Sequence, residues 1–211
     1  MDKKYEEIEV LTHSSIRISG ERRVYVDPFQ MAAAPHDGDI VLITHDHYDH
    51  YSPEDLAKVL KEDTILVVPA SMAAKVKDVP GERLVALAAG ETKTVDGVSI
   101  EAVPAYNVGK AFHPRANGWL GYILTMNGLR YYIAGDTDWN DDNNTVACDV
   151  ALVPIGGTYT MDAREAADFV NHLKPRAAVP THYGNIVGER TDGQVFEKAV
   201  SPGIDVCLKI R

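Results

Sequence analysis

Short apolar runs punctuated by turn residues dominate the chain. Strand-like runs at residues 15–19 and 22–26 flank Gly20, those at 92–95 and 98–103 flank Asp96-Gly97, and those at 119–126 and 129–133 flank Asn127-Gly128. Asp-Gly and Asn-Gly are hairpin signals because type I′ turns need two consecutive residues at positive φ. The chain therefore contains antiparallel sheet. A second set of runs, at 40–44, 64–68, 84–88, 150–153, 177–179 and 205–210, is apolar enough to be covered on both faces.

Helix signals lie between these runs. Ser52 is placed to cap, Pro53 suits a first helical position, and Leu56, Val59 and Leu60 form an apolar stripe. Asp162 and Glu165 have capping-box spacing and open a helix through Ala166, Phe169, Val170 and Leu173, which stops before Pro175. Shorter helices are predicted at 71–77 and 192–200. Strands and helices mix without strict βαβ alternation, which predicts an α/β (α+β) chain of mixed sheets with helices packed outside.

Composition narrows the picture. The 211 residues are 45% hydrophobic and 25% charged, which predicts one domain over residues 1–211. Residues 65–74, the longest nearly apolar stretch, are too few to span a bilayer, and residues 1–7 lack the apolar core of a signal peptide, so a cytoplasmic protein with no membrane partner is expected. Cys148 and Cys207 sit in apolar strand-like runs and read as small buried hydrophobes in a reducing compartment. A net charge of −10 with scattered basic residues disfavours a nucleic-acid surface. Homo-oligomerisation stays open.

The chemistry is concentrated after the run at 40–44, in His45-Asp46-His47-Tyr48-Asp49-His50. In an extended segment residues i and i+2 face the same way, so His45 and His47 can present nitrogens to one cation, while Asp49 and His50 lie where the chain turns toward Ser52. Imidazole with carboxylate and no nearby cysteine suits Zn²⁺, with Mn²⁺ or Fe as alternatives. This His-x-His-x-Asp-His pattern resembles the signature of the metallo-β-lactamase-fold hydrolases. Five more stretches match that family in chain order: Asp27-Pro28-Phe29, Pro104-Ala105-Tyr106-Asn107, Gly135-Asp136-Thr137, Pro154-Ile155-Gly156-Gly157 and Thr181-His182-Tyr183-Gly184. Within the superfamily the chain resembles the small members related to the ascorbate-6-phosphate lactonase and N-acylphosphatidylethanolamine phospholipase D branch.

The resemblance implies a four-layer αββα sandwich with a dinuclear metal site at one edge. It implies His45 and His47 on a first metal, Asp49, His50 and His182 on a second, and Asp136 bridging the two. Asp27 would support a ligand from behind, and His13 would line or support the site. The family's third histidine for the first metal is replaced here by Asn107; His113, six residues later, would fold back to complete the site, or Asn107 would supply a weaker amide oxygen.

Two cations sharing a carboxylate and a water lower that water's pKa and polarise the bond under attack. The expected enzyme is therefore a metal-dependent hydrolase, with two divalent ions, cleaving an ester, lactone or phosphodiester of a small anionic molecule. Lys110 and Arg115 are read as handles for the anion, with Asn107 beside them, and Tyr183 as a proton donor to the leaving group. The alternatives are a nucleotide or nucleic-acid phosphodiesterase, and a non-catalytic metal-binding regulatory protein with a degenerate first site.

Overall fold

A computed structural model describes residues 5–210; the sequence reading of residues 1–4 lies outside them. Among the described residues thirteen strands form two mixed sheets. The first holds β1 (Ile8–Thr12), β2 (Ser15–Ile18), β3 (Val24–Val26), β4 (Gly38–Leu42), β5 (Leu60–Pro69) and β6 (Leu84–Leu87), with neighbours in chain order. Its first three strands run antiparallel, and from β3 to β6 the pairing is parallel. The second runs β13-β12-β11-β10-β9-β8-β7, built from β7 (Thr92–Val95), β8 (Val98–Pro104), β9 (Leu120–Met126), β10 (Leu129–Ile133), β11 (Val150–Pro154), β12 (Ala177–Thr181) and β13 (Asp205–Val206). Here β7 to β10 are antiparallel, through the Asp96-Gly97 and Asn127-Gly128 hairpins, and β10 to β13 are parallel.

Alternation along the strands explains the layers. In β4 and the residue after it, Ile40 and Leu42 enter the core between the sheets, while Val41 and Ile43 face Leu56 and Val59 of helix α1 (Pro53–Val59). In the second sheet, Tyr131 and Ile133 point inward and Tyr132 points outward, against Phe169 of α2 (Ala163–Leu173) and near Phe196 of α3 (Asp192–Ala199). The central strands β3, β11 and β12 are buried on both faces, so they carry no polar alternation. The result is the four-layer αββα sandwich.

The helix caps follow their local chemistry. The Ser52 side chain accepts from Asp55 N–H with Pro53 next, and Asp162 with Glu165 completes a capping box. Two predicted elements change. The helix predicted at 71–77 is a 3₁₀ segment, Ala70–Lys75, because only six residues separate Pro69 from the extended Val76, too few for a stable α-helix. The strand predicted at 205–210 pairs only over Asp205–Val206, with one further bond from Cys207 N–H to the Ala178 carbonyl. Cys207 and Cys148 both fall just outside strands, partly buried and unbridged. Among the described residues no helix is long and apolar enough to cross a membrane.

Candidate metal centre

The site forms at one edge of the sandwich, where loops following strands of both sheets meet. Four of its residues, His13, Asp27, His113 and His182, hold φ between 45° and 58°, a left-handed backbone that is uncommon outside glycine and concentrates at functional sites. For His13, Asp27 and His182 it turns the chain immediately after a strand, and for His113 it falls within the loop that follows β8.

The donor atoms of His45, His47 and His113 lie within 4.8 Å of one another; so do those of His13, Asp49, His50 and His182, and those of His45, His50 and Asp136. Asp136 sits between the groups. Its Oδ2 is 3.2 Å from His113 Nε2, 3.1 Å from His182 Nε2 and 3.9 Å from His45 Nε2, and its Oδ1 is 3.4 Å from His50 Nε2. Yet His50 Nε2, His113 Nε2, His182 Nε2 and Asp136 Oδ1 are buried without a hydrogen-bond partner. Orphaned buried polar atoms are costly, and several of them converging within a few ångströms fit a cation. His45 Nε2 and His47 Nδ1 face each other at 3.1 Å in the same manner.

A second layer fixes which ring nitrogens carry protons. The Thr44 hydroxyl donates to Asp27 Oδ2 at 2.6 Å, and Thr44 N–H donates to Asp27 Oδ1 at 2.8 Å. His50 Nδ1–H donates to the same Asp27 Oδ2 at 2.7 Å. With its own proton committed to Asp27, Thr44 Oγ1 accepts from His45 Nδ1–H at 3.0 Å. Both histidines therefore have Nδ1 occupied and turn Nε2 toward the centre, the orientation metal-ligating histidines require. His13 performs a related service: its Nε2–H donates to Asp49 Oδ2 at 3.2 Å, and its carbonyl accepts the His182 N–H at 3.0 Å.

Electrostatics agree with the donor set. Burial alone would raise the Asp136 carboxyl, but His182 and His50 overcome it and hold the group well below the usual carboxylate range. Burial pushes His45 well below 6.5, keeping the ring neutral and able to ligate. Asp49, 13% exposed at its side chain, drops to about 2: burial acts upward, but the His13 hydrogen bond and the His50 charge prevail.

The departure at position 107 is accommodated by the loop after β8. Asn107 N–H donates to the His113 carbonyl at 2.9 Å, and its amide nitrogen donates to the carbonyls of Phe112 at 3.1 Å and Tyr159 at 2.6 Å. Those bonds fold the loop back and set His113 beside His45 and His47. Asn107 thus ties the loop through its amide nitrogen, while its amide oxygen is buried without a hydrogen-bond partner.

Three other expectations are corrected. Lys110 Nζ is bound to Asp138 at 2.5 Å and to the Thr160 carbonyl at 2.7 Å, which leaves it no reach toward the cavity. Arg115 pairs with Asp142 at 2.9 Å and lies over the Tyr106 ring, away from the cavity. Tyr183 turns its ring to Gly193 of α3 and the outer core, so its hydroxyl is not at the metal centre. Trp139, near the site in sequence, packs on Phe169 and His172.

Sequence reasoning missed Thr44 and Trp119. Trp119 packs against His45, His47 and His113 with centroids 4.9, 4.7 and 5.4 Å away. The only signal for it was its place at the start of a hairpin strand. The cavity above the centre encloses about 280 Å³ and is lined by His47, Tyr48, Asp49, Phe112, His113, Asp136, Tyr159, His182, Ile186 and Val187.

This geometry has relatives. Residues 7–182 match the Beta-lactamase superfamily domain. The UPF0173 metal-dependent hydrolase of Thermococcus onnurineus is 33% identical over 215 residues, covering 95% of each chain, and that of Pyrococcus furiosus is 34% identical over 216, again covering 95% of each. The chain belongs to the UPF0173 metal-dependent hydrolases of the beta-lactamase superfamily. A crystal structure from Parabacteroides distasonis, 32% identical, superposes with a TM-score of 0.81 over 97% of this chain and 93% of that one. At 23% identity, Igni18, a metallo hydrolase from Ignicoccus hospitalis, shares the fold with a TM-score of 0.76, covering 95% of this chain and 93% of its own.

Proposed function

We propose that this family member is a dinuclear hydrolase, with zinc as the resident metal, that cleaves a carboxylic or phosphoric ester bond of a small molecule by attack of water. The observation that carries the reading is the convergence of unpartnered, buried imidazole nitrogens from both donor groups on the single carboxylate of Asp136.

His45, His47 and His113 would hold one ion, Asp49, His50 and His182 the other, and Asp136 both. When bound, such a pair lowers the pKa of water and polarises the bond under attack. The chain's own residues supply the rest. Asp27 and Thr44 hold His45 and His50 in the ligating tautomer. Asp49 is the carboxylate that both lines the cavity and keeps partial solvent access; with Oδ2 held by His13, it can orient the attacking water and receive its proton. Trp119 packs against the His45 and His47 rings and restrains their orientation.

The test is metal content by inductively coupled plasma mass spectrometry on protein purified without a metal-affinity column, followed by hydrolysis of carboxylic and phosphoric ester substrates. Two zinc ions per chain with metal-dependent turnover are expected. Fewer than one ion after zinc is offered and the excess removed would overturn the reading.

A further inference from the structure

The cavity wall says what kind of molecule enters. Among the described residues eight large apolar side chains are exposed, and four of them, Tyr48, Phe112, Tyr159 and Ile186, line this one cavity. They are exposed by 68%, 46%, 36% and 38%. Clustered exposed apolar surface at a concave site marks a ligand groove, whereas scattered single residues carry no such meaning.

Each of these side chains is bound to the ligand geometry. Tyr48 stands between His47 and Asp49, with its ring edge-on to Phe29 at 6.1 Å. Phe112 precedes His113 and meets Tyr159 edge-to-face at 4.7 Å and 84°, and Asn107 holds the carbonyls of both. Ile186 and Val187 follow the His182 turn. Among the described residues the only charges on the lining, apart from imidazoles, are the carboxylates of Asp49 and Asp136, and no lysine or arginine lines the cavity. The two cations nearest in sequence, Lys110 and Arg115, are held in ion pairs elsewhere. A charged tail seated on that apolar wall would lose hydration with no lysine or arginine to pair it.

The geometry points to an uncharged carboxylic ester, open-chain or cyclic, whose acyl group is apolar and seats between the Phe112–Tyr159 pair and Tyr48 with Ile186. This deepens the hydrolase reading and rests on it. Water oxygen bonds to the carbonyl carbon and the bond from that carbon to the leaving oxygen breaks; one water proton ends on the alcohol, and the other leaves as the acid ionises. About 280 Å³ suits a short acyl chain or one aryl ring.

The experiment compares two molecules that differ only at the tail. With the zinc-loaded full chain, kcat/KM for p-nitrophenyl hexanoate is expected to exceed that for mono-p-nitrophenyl adipate at least tenfold. Phe112→Ser should abolish the preference and Phe112→Leu retain it. In parallel, calorimetry measures binding of hexanohydroxamate and adipic acid monohydroxamate, which share a chelating head, and expects at least tenfold tighter binding of the first. Hydrolysis of both esters at equal rates, or better hydrolysis of the adipate, sinks the apolar-acyl assignment and leaves the hydrolase reading intact. Turnover of neither ester, with hexanohydroxamate still preferred, overturns the hydrolase reading and supports the apolar seat; equal or absent binding of both hydroxamates overturns the seat.

Discussion

The Thr44 hydroxyl donates to Asp27 Oδ2 at 2.6 Å, and through that bond the tautomer of metal-facing His45 is set, while His50 donates directly to the same carboxylate. Thr44→Val keeps the shape and removes the hydroxyl. His45 Nδ1–H then loses its acceptor, and buried Asp27 loses a donor. A loss of roughly 10–100-fold in metal affinity is expected, with about 1.5–3 kcal/mol of stability lost in the metal-free protein. Thr44→Ser should recover most of both. Chelator competition and thermal melts read the two effects; a Thr44→Val protein with unaltered metal affinity would contradict the tautomer assignment.

Acidification should strip the two ions in a definite order. A metal takes only neutral imidazole, so a ligand is lost as pH falls through that ring's pKa in the metal-free protein. Burial first, and then the neighbouring His50 charge, place His45 well below 6.5, and His47 is lowered in the same way by burial and His113. For His50 burial also acts downward, but Asp136 and Asp27 overcome it and carry the ring well above 6.5. Protons therefore compete for His50 already above pH 6.5, and for His45 and His47 only below it. Zinc counted after dialysis between about pH 8 and about pH 5 should fall from two ions to one before it falls further; simultaneous loss would refute the ordering.

Gly156 is required by its neighbours. A Cβ there would come under 3.0 Å from the His182 carbonyl and from Val187 Cγ2. Gly156→Ala should push the His182 loop off the centre, costing about 1–3 kcal/mol of stability and releasing the ion held by Asp49, His50 and His182 first. Melting temperature and zinc stoichiometry check this together.

The two cations after Asn107 should behave differently. Arg115, two-thirds exposed at its side chain, pairs with Asp142 on the surface, so Arg115→Ala should change kcat/KM by no more than about twofold for anionic and neutral esters alike. Lys110 joins Asp138 and the Thr160 carbonyl in a partly buried network, and Lys110→Met should cost about 1.5–3 kcal/mol. Tyr183→Phe should leave kcat within about twofold, because the hydroxyl faces α3 and not the cavity. A tenfold or larger fall in kcat for Tyr183→Phe would restore its role as proton donor.

The hairpins at Asp96-Gly97 and Asn127-Gly128, the capped helices α1 and α2 and the doubly covered parallel strands were legible in the linear chain, because turn chemistry and apolar patterning act over a few residues. Short elements without such a local signal were misjudged, as at Ala70–Lys75 and in the truncated β13. The motif from His45 to His50 could likewise be read directly, since one strand end brings its residues together.

Asn107 and His113 show where local reading stops. Six residues separate them, and nothing in that spacing says whether the loop returns; the Asn107 bonds to the Phe112 and Tyr159 carbonyls decide it, and Tyr159 comes from a distant segment. The fates of Lys110, Arg115 and Tyr183 were settled in the same way, by Asp138, Asp142 and Gly193. Sequence by itself determined the donor types and the mixed sheets with helices outside, because both depend on residue chemistry and short-range periodicity, while the four-layer arrangement was an implication of the family resemblance. Only the tertiary structure decided which charges are already neutralised and which side chains wall the cavity, because those depend on partners that the chain supplies from far away.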